Sequence, residues 1–181
     1  VKGKDPHTSP TAPQTQHLQP GWNNLLYLGP TRAVNTALSP LDGKLSSAYQ
    51  WDPVRETWSA YLPAAPSASD LQILAERGTY WIYMRAAADF TVTPTGTDPP
   101  SQLTLSSGWN NVGLPAGAPS AVLNAFSAPP KSVFGWDATS AVWRGFFSDA
   151  RAPSDLTAVR ADAAYWVYAQ APIVLRTSTA P

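Results

Sequence analysis

Thr79-Tyr80-Trp81-Ile82-Tyr83-Met84 decides how the chain is read, because the same pattern returns as Ala164-Tyr165-Trp166-Val167-Tyr168-Ala169. Ahead of each copy stands Gly-Trp-Asn-Asn, as Gly21-Trp22-Asn23-Asn24 and again as Gly108-Trp109-Asn110-Asn111. A unit that opens and closes on tryptophan has been duplicated, and self-similarity at a fixed period marks tandem copies of one structural unit. All eight tryptophans obey the repeat, falling at four paired positions: Trp22/Trp109, Trp51/Trp136, Trp58/Trp143 and Trp81/Trp166.

Between these landmarks the two units carry the same signals in the same order. Trp22 with Leu25 to Leu28, closed by Gly29-Pro30, reads as a buried strand, and Trp109, Val112 and Leu114 match it. Val34, Ala37, Leu38 and Leu41 then fall at helical spacing, with Thr31 placed to cap and Pro40 to stop, and Val122, Leu123 and Phe126 repeat the pattern. Next comes a hairpin. If Asp52 pairs with Thr57 across a four-residue loop, Trp51 and Trp58 oppose each other on one face, as Trp136 and Trp143 do in the second unit. Asp70 with Leu71 and Leu74, and Asp155 with Leu156 and Val159, predict a second short helix capped by aspartate. The Tyr-Trp strand follows, and Phe90–Val92 or Ile173–Leu175 closes each unit.

The expected fold is therefore mainly β, with α+β as the alternative: two tandem homologous lobes, each a small antiparallel sheet with one or two short helices, the β-sandwich being the model architecture. The divisions are an extended Pro-rich arm over 1–20, a first lobe over 21–92, a linker and lead-in over 93–107, a second lobe over 108–176 and a tail over 177–181. Units of about 70 residues bury little of their surface, so the lobes are expected to pack on each other or on another chain.

Composition narrows the chemistry. Twelve Lys+Arg balance twelve Asp+Glu, so the basic excess that nucleic-acid binding demands is missing. Charged residues make up 13% of the chain, about half the usual ~25%, and near-zero net charge favours contact between copies. With no cysteine, disulfides and thiolate chemistry are excluded. No apolar run approaches the ~20 residues of a membrane-spanning helix, and a start at Val1 rather than Met is the pattern expected of a processed or excerpted chain.

Both histidines, His7 and His17, lie in the arm, so the repeat units offer neither an imidazole base nor an imidazole ligand. Asp52 with Glu56 and Asp137 with Asp149 are nominal carboxylate pairs, but Asp52 and Asp137 open turns, where aspartate binds its own backbone. No catalytic residue, metal site or cofactor is therefore expected, and the protein is read as a non-enzyme. Aromatics are the one surplus. In so small a unit tryptophan is expected to fill the core, with Trp51, Trp58, Trp136 and Trp143 the rings expected to reach solvent, because hairpin tips project. Asn23, Asn24, Asn110 and Asn111 recur beside an indole, where an amide either reads sugar hydroxyls or satisfies loop backbone.

The arm, with four prolines and a single large aliphatic after Val1, builds no core of its own. It is expected either to lie along its own lobes or to reach a neighbouring copy as an added strand. The order Gly-Trp-Asn, short helix, aromatic-Asp turn, Trp-x-x-aromatic, short helix and Tyr-Trp-aliphatic-Tyr resembles a tandem repeat module of secreted and surface-anchored bacterial and archaeal proteins. That repeat carries Gly before its final Tyr-Trp, which Gly78 supplies in the first unit and Asp162-Ala163-Ala164 does not in the second. The resemblance implies an extracellular or cell-surface, non-catalytic module. Two functions follow as expectations: a structural protein whose copies self-associate through residues 1–20 and lobe surfaces, as in a filament or surface layer, or a carbohydrate-binding module whose glycan partner meets the recurring Trp and Asn positions.

Overall fold

A computed structural model describes residues 12–96, 100–149 and 151–177. The protein is mainly β, built from several small antiparallel sheets with few short helices. In the first half, β1 (Gln14–Leu18) and β2 (Gly21–Leu26) lead into β3 (Arg32–Ala33), α1 (Val34–Ala37), β4 (Leu45–Asp52) and β5 (Thr57–Tyr61). β6 (Ile73–Leu74), β7 (Thr79–Met84) and β8 (Ala88–Val92) complete it. The second half runs β9 (Gln102–Leu105), β10 (Gly108–Gly113), α2 (Pro119–Val122), β11 (Ser132–Asp137), β12 (Val142–Phe147), β13 (Ala164–Ala169) and β14 (Ile173–Arg176).

Each half forms a four-stranded sheet with the Tyr-Trp strand inside it, in the order β2-β7-β4-β5 and then β10-β13-β11-β12. The hairpin register is the one the Asp-turn spacing predicts: Asp52 faces Thr57 and Trp51 faces Trp58, while Trp136 faces Trp143. Asp52 Oδ1 accepts the backbone N–H groups of Val54 and Arg55, and Asp137 Oδ1 those of Thr139 and Ser140. Even the strained position recurs, since the last loop residues Glu56 and Ala141 both take the left-handed conformation, at φ 54° and 52°.

Alternation along the strands assigns the faces. Leu25, Ala48, Tyr80 and Ile82 enter a core with Leu38, Leu41, Leu74 and Phe90. Val112, Val133, Tyr165 and Val167 do the same with Leu105, Phe126 and Leu175. No tryptophan is buried in either, which corrects the expectation that indoles fill the core. Tyrosine and aliphatic side chains alternate inward, and the period-2 pleat sends every Trp to the opposite face.

The predicted second helices are also corrected. Asp70 does not cap a helix; its Oδ1 accepts the Ala60 N–H at 2.5 Å, while the Asp70 and Leu71 amides both donate to the Ala60 carbonyl. Asp155 repeats this on Gly145, with Oδ1 accepting its N–H at 2.6 Å. The aspartate is spent tying an extended segment to the outer edge of β5 or β12, and that pairing competes with a helix for the same backbone groups. Thr31 likewise does not cap α1, which begins after Ala33; its hydroxyl accepts the Glu76 N–H instead. The arm lies partly along its own unit, for β1 pairs with β8 from Gln14↔Val92 to Leu18↔Ala88, and residues 1–11 lie outside the described residues.

The central tyrosines also hold the loop that precedes them. Tyr80 Oη accepts the Ala75 N–H at 2.7 Å, and Tyr165 Oη the Arg160 N–H at 2.8 Å. Tyr80→Phe and Tyr165→Phe, which strand those amides, are each expected to cost about 1–2 kcal/mol, read as a lower urea midpoint at unchanged slope. Burial raises both phenols above the ordinary tyrosine range. The folded chain thus keeps protons that the unfolded chain releases, and stability should fall as pH rises past ~10. Absorbance at tyrosinate wavelengths should show these two phenols ionising together with unfolding; titration at the ordinary value in the folded protein would contradict the assignment.

Candidate functional site: a paired aromatic cleft

The outward face of each four-stranded sheet carries a row of rings placed by strand register alone. In the first half these are Trp22, Tyr49, Trp51, Trp58, Trp81 and Tyr83; in the second, Trp109, Phe134, Trp136, Trp143, Trp166 and Tyr168. Ring separations repeat between them. Trp22 lies 5.8 Å from Tyr49 and Trp109 5.8 Å from Phe134, while Trp22–Tyr83 and Trp109–Tyr168 are both 5.0 Å.

The two faces meet reciprocally. Trp81 packs 5.7 Å from Trp136 and 5.4 Å from Trp143, and Trp166 packs 6.1 Å from Trp51 and 5.8 Å from Trp58. Trp51 Nε1 donates to the Trp109 carbonyl at 2.8 Å, and Trp136 Nε1 to the Trp22 carbonyl at 2.7 Å. Between them Asn24 Nδ2 donates to Asn111 Oδ1 at 3.1 Å and Asn111 Nδ2 to Asn24 Oδ1 at 2.9 Å. Contacts in which i meets j′ and j meets i′ are the signature of a twofold relation, here within one chain. Exchange of residues breaks the symmetry where Leu26 in the first half matches Gly113 in the second and Thr79 matches Ala164. Leu26 packs with Ala164 in a small cluster and faces Gly113, where an added Cβ would come within 3.0 Å of it.

What the docking leaves open is an aromatic cleft of about 590 Å³ lined by Trp22, Tyr49, Trp58, Trp81, Trp136, Trp143 and Trp166. A second hollow of about 340 Å³ shares Trp143 and Trp166 and adds Trp109 and Phe134. Among the described residues no charged side chain lines either. Trp58 and Trp143 are 46% and 45% exposed, and Trp22 and Trp109 41% and 39%, so four large rings present faces to solvent.

The sequence-derived site residues divide here. Trp58, Trp136 and Trp143 line the cleft, while Trp51 is outside its lining, packed against Trp58 and Trp166 and bonded to the other half. Asn23 and Asn110 are buried and bind loop backbone: Asn23 bonds Gln19 and Gly21, and Asn110 bonds Ser106 and Gly108. Asn24 and Asn111 pair with each other. The amides are occupied inside the chain rather than turned to the cleft. Trp22, Trp81 and Trp166 line the cleft and Trp109 the second hollow although hairpin geometry did not point to them; the coincidence of all eight tryptophans in four pairs was the signal. Tyr49 and Phe134 share a strand face with Trp51 and Trp136, which the alternation already contained.

Chemistry elsewhere is sparse. Among the described residues no group of three or more His, Cys, Asp or Glu could hold a metal. His17 Nδ1 lies 2.6 Å from Asp89 Oδ1 on the exposed β1–β8 ribbon. Asp52 is held below the usual carboxylate range first by the Arg55 backbone N–H, and Asp137 first by the Ser140 hydroxyl. Both serve their turns.

Asn24→Ala is expected to cost about 1–3 kcal/mol, because it leaves the Asn111 amide without its partner. Adding Asn111→Ala should cost less than the sum of the two single changes, and additive losses in a double-mutant cycle would show that the amides act separately. A scan against protein-family models finds no matching family, and searches of curated proteins and of solved structures return no match.

Proposed function

We propose that the protein is a non-enzymatic recognition module of the cell surface or extracellular space, and that the paired aromatic cleft is where its partner docks. One observation carries this reading: six of the eight tryptophans and Tyr49 surround an open, uncharged hollow instead of filling a core. Burying one such ring removes 150–250 Å² from water, so leaving several open is costly unless a partner covers them. Among the described residues the cleft walls hold no carboxylate or imidazole for acid–base work, which favours binding over catalysis.

Two kinds of partner suit a wall of rings. A copy-to-copy contact is favoured by the zero net charge of the chain, and stacking of a sugar ring by the exposed indole faces of Trp58 and Trp143. The internal bonds of Asn23, Asn24, Asn110 and Asn111 weigh against the sugar reading, since they withdraw the amides nearest the rings.

Indole emission reports the cleft directly. We expect it to shift either with rising concentration of the protein itself or with one member of a panel of soluble oligosaccharides, and Trp58→Ala/Trp143→Ala to remove the shift. Emission indifferent both to protein concentration and to every glycan would refute a docking role for the cleft.

A further inference from the structure

Charged side chains are scarce in this chain, yet three ion pairs stand together beside Trp136: Arg144 with Asp137 and with Asp155, and Arg160 with Asp162. They border a polar trough made of two adjoining hollows of about 300 and 440 Å³, which share Asn24, Trp136, Asp137 and Arg160. Strand β1 forms the far wall, where Gln16 Nε2 crosses from the first half to the Asp162 carbonyl at 3.1 Å.

The duplication shows that the fold does not require these arginines. Hairpin register sets Arg144 opposite Gly135 and Ser59 opposite Gln50, so Arg144 stands where the first half has Ser59. The Arg160 N–H donates to Tyr165 Oη as the Ala75 N–H donates to Tyr80 Oη, so Arg160 stands where the first half has Ala75. The turn aspartates and the edge-binding aspartates, by contrast, recur in both halves. What the second half adds is a pair of guanidinium groups, with Asp162 to hold one of them.

Their hydrogen-bonding capacity is largely unspent. Arg144 lies 3.6 Å from Asp137 Oδ2 and 3.7 Å from Asp155 Oδ2, near enough for ion pairing and too far for hydrogen bonds. Those carboxylates are engaged elsewhere, Asp137 Oδ2 accepting the Ser140 hydroxyl and Asp155 Oδ1 the Gly145 N–H. Among the described residues Arg144 therefore donates no hydrogen bond. Arg160 gives Nε and Nη2 to Asp162 and keeps Nη1. Across the trough Gln16 commits its amide nitrogen and keeps Oε1 as an acceptor.

This combination selects a class of ligand. A free anion finds no excess of positive charge, because Asp137, Asp155 and Asp162 outnumber the two arginines. A cation finds carboxylates already held by backbone, hydroxyl or guanidinium donors. Neutral hydroxyls suit such walls, since each accepts from one group while donating to another. Trp136, which lines both hollows, supplies apolar surface for the C–H face of a sugar ring.

We infer that the trough is a binding site for a neutral oligosaccharide, with Arg144 and Arg160 donating from one wall and Gln16 accepting on the other. The site is separate from the aromatic cleft and stands whether or not the cleft docks a partner.

The test titrates soluble oligomers of glucose, mannose, galactose and N-acetylglucosamine, with uronic acid oligomers as charged counterparts, and reads the heat of binding. Four proteins are compared: the wild type, Arg144→Ser/Arg160→Ala, Arg144→Lys and Trp58→Ala/Trp143→Ala. The first variant carries the residues that the other half already uses at the matched positions, so its urea midpoint should stay close to wild type. We expect one neutral series to bind the wild type with an affinity indifferent to added salt. The double arginine variant should bind it roughly tenfold more weakly or worse. Arg144→Lys should also bind more weakly than wild type, because an ammonium does not present the planar fork. The cleft variant should bind as the wild type does. A wild type that binds no neutral oligomer overturns the inference, as does a response confined to the uronic acids and lost with salt. Binding that survives the loss of both arginines overturns it as well, and its disappearance with Trp58 and Trp143 would put the sugar in the cleft.

Discussion

The reciprocal docking of one tryptophan from each repeat into the hairpin of the other is the contact on which the arrangement depends. Trp81 packs against the Trp136–Trp143 pair as Trp166 packs against the Trp51–Trp58 pair, and each hairpin returns one indole N–H to the opposite backbone. Aromatic pairs at 4.5–7 Å centroid separation contribute about 0.5–1.5 kcal/mol beyond the area they bury. Four such pairs with two hydrogen bonds join sheets whose own cores are small. The mutual amide pair of Asn24 and Asn111 adds direction to a surface that stacking alone would let slide.

The same geometry explains why the cleft exists. Twofold docking of two twisted sheets brings them together near Asn24 and Asn111, where Leu26 meets Gly113 and Ala164. Away from that contact the remaining rings stand around open space. The aromatic surplus thus has two uses, joining the halves and forming walls. Trp58, Trp81, Trp136, Trp143 and Trp166 do both. Near-zero charge removes the repulsion that keeps such a surface from meeting other molecules.

Much of the fold was legible in the residues. Asp52 and Asp137 announced their turns because an aspartate at that position binds the amides two and three residues on whatever the rest of the chain does. The Trp51–Trp58 register followed from loop length alone. Asp70 and Asp155 misled, because a carboxylate that can cap a helix can equally bind the edge of a strand. Choosing between the two needs the position of Ala60 or Gly145, about ten residues away.

By itself the sequence determined the duplication, the mainly β class, the hairpins and the absence of cysteine chemistry, since these rest on local periodicity, turn chemistry and composition. Tertiary structure alone decided which face of each sheet is core. The Tyr-Trp-aliphatic-Tyr strand is apolar on both sides, so alternation names two faces without ranking them, and only the packing of α1, β6 and β8 beneath one side settles the choice. The fate of the tryptophans was likewise a long-range matter. An indole at a repeated position satisfies a core, an interface and a binding wall equally well, and what separates these is the place of the other repeat, brought against it from across the chain.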